Sequence, residues 1–256
     1  MNNSINEVQS PEERELELKR VELLKISEQL AEKELELMTL RGKVLYFEQR
    51  YLLLVGKKYV ELDELKAKIA EKISRKNPKS SAARKKATKA RKYAKETAEN
   101  VHSREIFKKT AKNFLPSEEL KNLYRQIALK VHPDRSSDGK DREYRTKLMA
   151  EANAAYAALD IKKLKELLSE WESSAEAVAG EGVAFDLVRV IRSISQINNR
   201  LKVIKEETTN IMKSEMYKLM MRVEDAEKNG RNLLDELANK VNEDIRLAKE
   251  KFVNLQ

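Results

Sequence analysis

Apolar side chains return every seven residues near the start of the chain, at Leu16, Leu23, Leu30, Leu37, Val44 and Tyr51. Ile26, Leu40, Phe47 and Leu54 follow the later members at a spacing of three, and Lys33 breaks this second series once. A 4-3 repeat of this kind is the seam of a coiled coil. Ser10-Pro11-Glu12-Glu13 supplies its start: a capping serine, proline at the first helical position, and glutamate where a capping box places it. Gly56 shifts the pattern, so a kink or hairpin is expected there before Leu62, Leu65, Ile69 and Ile73 resume it. A second seam runs through Val190, Ile194, Ile197, Leu201, Ile204, Thr208 and Ile211. It then slips to Met212, Met216, Leu219, Val223, Ala226, Gly230, Leu233, Leu237 and Val241, which reads as a stutter within one long helix. Met212, Met216, Met220 and Met221 fall at helical spacing in it and read as core packing in preference to a plastic partner-binding surface. Seams of this length must be covered. Segments 11–74 and 184–256 are expected to pair, antiparallel within the chain or with a second copy as a homodimer.

Between the seams the pattern is that of shorter helices. A stretch at 103–114 reads as helical. Ser117 then caps a helix carrying Leu120, Tyr124, Ile127 and Val131 on one face and Lys121, Arg125 and Lys130 off it. His132-Pro133-Asp134 ends it, because a residue before proline is pushed out of the α region. After a polar Ser-Ser-Asp-Gly loop, a second helix places Met149, Ala152, Tyr156 and Leu159 together. Its many alanines permit close approach, so an antiparallel hairpin joined at the tripeptide is predicted, and Trp171 is read as anchoring the end of the last helix before the 173–183 linker.

Composition narrows the class. Of 256 residues, 37% are charged and only 5% aromatic, which suits long solvated helices better than a large globular core. Cysteine is absent, which excludes disulfides and thiolate metal sites. The apolar run Tyr51–Val55 is far too short to span a bilayer and the polar start is no signal peptide, so a cytoplasmic protein is expected. Charge is uneven. Residues 75–95 hold ten Lys/Arg and no acid, more than the net +9 of the whole chain. This segment, bounded at 75–99, reads either as a solvated linker or as a footprint for non-specific nucleic acid through Arg84, Lys85, Lys86, Lys89, Arg91 and Lys92. Tyr93 is its one aromatic, too few for a stacking platform. No nucleophile, phosphate loop or metal-ligand spacing is present, so neither an enzyme nor a cofactor is expected. His102 reads as a surface residue.

The stretch "LKNLYRQIALKVHPDR" followed by "LMAEANAAYAAL" resembles the J domain of DnaJ-type co-chaperones, over about 65 of the 256 residues. Leu120, Lys121, Tyr124, Arg125, Ile127, Ala128 and Lys130 match the family's second helix, His132-Pro133-Asp134 its loop, and Asn153, Ala155 and Tyr156 its third helix. The Tyr-x-x-Leu-Gly element of the family's first helix is missing, Ala154 stands for an acidic residue, and Gln126 for a basic one. No Gly/Phe-rich segment follows. The layout as a whole is similar to bacterial J-domain proteins with flanking coiled coils. The resemblance implies docking on a DnaK-type ATPase through His132, Pro133, Asp134, Lys121, Tyr124, Arg125, Lys130 and Arg135, and acceleration of that partner's ATP hydrolysis. The positive strip would steer towards an acidic groove, and Asp134 would accept from a partner arginine.

The expectation is therefore an all-α protein: a disordered polar tail at 1–10, a coiled coil at 11–74, a basic linker at 75–99, a J domain at 100–172, a linker at 173–183 and a second coiled coil at 184–256. The coils would bind a client or anchor the protein. The alternative is a structural or nucleic-acid-associated coiled-coil protein whose J domain is a passive scaffold.

Overall fold

The computed structural model describes residues 10–104, 114–136, 139–173 and 183–255, and these are all-α, with no strand among them. The polar tail, most of the 103–114 stretch, the centre of the Ser-Ser-Asp-Gly loop and most of the 173–183 linker lie outside the described residues.

Helix α1 spans Pro11–Tyr51 and opens with the capping box read from the sequence. Glu13 N–H donates to Ser10 Oγ at 3.1 Å, and Ser10 N–H to the Glu13 carboxylate at 2.7 Å. Gly56 does not reverse the chain. Leu52–Gly56 form a single π-helical turn that passes directly into α2, Lys57–Lys76. The reversal comes at Asn77–Ser80, and α3, Ser81–Arg104, returns along α2. The 75–99 segment expected as a linker is thus largely helix. Its alternation explains this: Ala87, Ala94 and Val101 recur every seven residues and are buried, while the lysines between them face out.

Three helices follow: α4 (Glu118–Val131), α5 (Gly139–Ala157) and α6 (Ile161–Ser173). The α5–α6 corner corrects one sequence assignment. Leu159 leaves the helical face and takes a left-handed φ of 58°. There it ends α5, with Asp160 N–H donating to the Ala155 carbonyl at 2.9 Å. Asp160 in turn caps α6 by accepting from Lys163 N–H at 3.0 Å.

The long C-terminal helix also divides into three: α7 (Val183–Lys213), α8 (Glu215–Lys228) and α9 (Leu233–Val253). The slip read as a stutter is a break, where Ser214 caps α8 by accepting from Tyr217 N–H. Gly230, read as part of the stripe, takes φ 73° and closes α8, and Asn232 caps α9. Polar caps inside an apolar repeat carried the signal that a continuous-helix reading passes over.

The chain forms two units, one from Met1–Gly42 with Leu115–Met212, the other from Lys43–Phe114 with Lys213–Gln256. In the first, Leu30 and Leu37 of α1 pack on Ile197 and Ile204 of α7. Arg20–Asp186, Glu34–Arg200 and Arg41–Glu207 each join residues 166 apart. A constant offset requires parallel helices, so the expected antiparallel pairing is overturned. The shared seven-residue repeat keeps the two seams in step, and the matching order of the ion pairs along both helices sets the direction. In the second unit Phe47, Val55 and Leu62 share a core with Met220, Val223, Leu234, Ala238, Val241 and Ile245. Leu54, expected in the seam, is exposed there, as the π-turn rotates it outward, and Met212 and Met221 are exposed too.

Candidate functional site

Helix α4 begins at Ser117, whose hydroxyl accepts from Leu120 N–H at 3.2 Å, with Glu118 and Glu119 at the positive end of the helix. It stops at His132, whose ψ of 130° is the extended geometry a following proline imposes. Pro133–Arg135 make one 3₁₀ turn. Helix α5 then packs against α4 through the residues singled out in the sequence. Tyr124 is fully buried, donates from its hydroxyl to Asn153 Oδ1 at 2.7 Å, and lies 4.8 Å from the Tyr156 ring. Burial pushes the Tyr124 phenol well up, so it stays a donor at any working pH.

One group essential to this packing escaped the sequence reading. Arg145 of α5 is almost covered: it donates to the Lys130 carbonyl at 3.0 Å and to Asp141 at 2.7 Å, and sits 4.5 Å over the Trp171 ring. It satisfies an end carbonyl of α4 and ties all three helices together. Tyr144 stacks on the same indole. An arginine followed by a tryptophan 26 positions on carries no local signal, so only the fold brings them together.

The tripeptide is packed inward. His132 is 3% exposed and Asp134 9%. The Asp134 N–H donates to His132 Nδ1 at 3.2 Å, which leaves the ring proton on Nε2. Nε2 faces Glu34 Oε1 of α1 at 3.3 Å. Glu34 is itself held by a two-pronged contact from Arg200 of α7, at 2.6 and 3.1 Å. Burial works against the Glu34 charge, but the hydrogen bonds from His132 and Arg200 outweigh it and hold the carboxyl below its ordinary range. The Asp134 carboxylate lies 3.7 Å from His132 Nδ1 and 3.9 Å from Arg142. Arg135 closes the turn, and its side chain lies outside the described set.

The basic strip is likewise engaged. Arg125 Nε donates to Glu32 of α1 at 2.6 Å and its other arm to Asn122, Lys121 pairs with Glu118 at 2.7 Å, and Lys130 with Glu172 at 2.5 Å. Tyr156 hydroxyl meets Thr39 Oγ1 of α1 at 2.7 Å. Glu32, Glu34 and Thr39, missed in the sequence, belong to a second stripe on α1. Ala31, Leu35, Met38 and Gly42 are buried beside the Leu30–Leu37 seam, on the side that meets α4 and α5.

The second candidate surface is α3. Arg84, Lys85, Lys86, Lys89 and Lys92 are exposed along it, with Tyr93 61% exposed among them. Arg91 departs from this set. It grips Glu71 at 2.7 and 3.0 Å and Glu64 at 2.8 and 2.9 Å, both on α2, and so braces the hairpin instead of facing outward. Among the described residues no group of three His, Cys, Asp or Glu is placed to hold a metal ion, and no helix is long and apolar enough to cross a membrane. No protein-family model, curated protein or solved structure matches the chain.

Proposed function

We propose that the protein is a J-domain co-chaperone whose α4 and His132-Pro133-Asp134 turn dock on a DnaK-type ATPase and speed its ATP hydrolysis. One observation carries the reading. The matching elements of two helices, Tyr124 on α4 and Asn153 and Tyr156 on α5, meet in one buried cluster that sets the tripeptide at the tip of the hairpin. Hydrolytic groups belong to the partner in this scheme, and the chain supplies a coupling: it binds the hydrolysis-competent conformer better than the alternative. Lys121, Arg125 and Lys130 steer the encounter, and Asp134 accepts from a partner arginine.

The test is single-turnover ATP hydrolysis by the cognate DnaK-type chaperone with saturating full-length protein. His132→Gln and Asp134→Asn are expected to abolish stimulation. Both are expected to keep the fold, since a glutamine amide still donates to Glu34 and an asparagine matches Asp134 in shape at a turn with little apolar burial. Full stimulation by a folded His132→Gln protein overturns the proposal.

A second reading rests on a separate observation, the outward row of basic side chains along α3 that includes Arg84, Lys85, Lys86, Lys89 and Lys92. In it the protein is a nucleic-acid-associated scaffold, the tripeptide is a helix stop locked by Glu34, and ATPase stimulation is absent.

A further inference from the structure

We propose that α1 and α7 form a built-in latch that holds the His132-Pro133-Asp134 turn closed, with Glu34 as its bolt and Arg200 as the residue that fixes the bolt. This rests on the reading of that turn as a docking site for an ATPase partner. The geometry is specific. Of the groups a partner would need, His132 is taken by Glu34 and Arg125 by Glu32, and Thr39 ties the Tyr156 hydroxyl beside them, all from one stretch of α1. Glu34 and Glu32 thereby stand where a partner's acidic groove would stand: they offer carboxylates to the same ring and guanidinium. The contact is also costly to build into a scaffold for its own sake. A carboxylate whose side chain is 5% exposed is retained against its desolvation only because His132 and Arg200 both donate to it.

Closure by α1 excludes docking by simple competition. The partner sees only the fraction of molecules in which the α4–α5 hairpin has left α1, and its apparent affinity falls by that fraction. Removing the bolt shifts the population towards the open form. Arg200 acts as a positioning residue. Its guanidinium donates to Glu34 and not to a docking group, and it sets the Glu34 carboxylate in line with His132 Nε2.

The experiment compares the full chain with Glu34→Ala and Arg200→Met, each checked for fold by circular dichroism. The first readout is diethyl pyrocarbonate modification of His132, followed by mass spectrometry, with exposed His102 as internal reference. The second is stimulation of the DnaK-type ATPase at subsaturating protein. Both variants are expected to speed His132 modification and to raise stimulation about fivefold or more, the low end of typical coupling between sites. Arg200→Met decides the matter if Glu34→Ala does not fold. Equal stimulation by the unaltered chain and a folded variant overturns the latch while leaving the co-chaperone reading intact. Faster His132 modification with no stimulation from any form overturns the co-chaperone reading, and the inhibitory role falls with it. Unchanged His132 modification in both variants overturns the claim that Glu34 and Arg200 keep the turn closed.

Discussion

A carboxylate inside a helical interface has to be held by donors, and Glu34 has two, from His132 and Arg200. Removing one partner of such a buried group leaves the others uncompensated, so Glu34→Ala is expected to cost about 3 kcal/mol in urea unfolding. The pH dependence has a definite sign. The folded Glu34 carboxyl titrates below its ordinary range, so its contribution is complete above that range and is lost as pH falls through the depressed folded value. Stability measured between about pH 7 and pH 3 should therefore decline more steeply in the unaltered chain than in Glu34→Gln. Equal slopes would mean that the carboxylate is not held as described. Tyr124 offers a neutral comparison. Its hydroxyl bonds Asn153 and no charge is involved, so Tyr124→Phe should lower stability by about 1 kcal/mol with no change in pH dependence.

At the level of elements, the parallel pairing of α1 and α7 can be read directly in solution. Cysteines replacing Arg41 and Glu207 should be bridged within one chain by a short bismaleimide, whereas Arg41→Cys with Asp186→Cys should not. The opposite result would restore the antiparallel arrangement. Periodicity made much of this layer legible in advance. The α1 seam, its capping box, the α4 cap and the stop at His132 all follow from local spacing, and local spacing is what a helix obeys. Direction was not legible, because a seven-residue repeat reads the same in either orientation. The breaks at Ser214 and Gly230 were lost for a different reason: their caps interrupt a repeat that looks continuous when only apolar positions are counted. The hold on His132 was hidden more deeply. Glu34 stands beside the Leu30–Leu37 seam, where charge ordinarily faces water, and only a second buried stripe through Ala31, Leu35 and Met38 turns it inward. That stripe is short and built partly of alanine, so it is a weak signal in a helix as charged as this one.

For the molecule as a whole, most of the excess positive charge lies on α3, and its consequence is testable apart from any chaperone. Replacing Arg84, Lys85, Lys86, Lys89 and Lys92 with glutamine should abolish duplex or single-strand binding at low salt. The unaltered chain should show a steep loss of affinity with salt and no sequence preference. Arg91→Gln should leave that salt slope nearly unchanged and instead lower the melting temperature, since its four contacts brace α2 against α3. Binding that survives the fivefold replacement would place the nucleic-acid surface elsewhere. The constant 166-residue offset between α1 and α7 also bears on how the protein is made. Contacts that distant in sequence close late, because the chain between them must be ordered first. The α4–α6 helices contact one another within a short span of sequence and emerge from the ribosome before Arg200 does. For that interval a nascent chain carries a folded hairpin with Glu34 unclamped, so a freshly synthesised molecule passes through its open form once, whatever becomes of it afterwards.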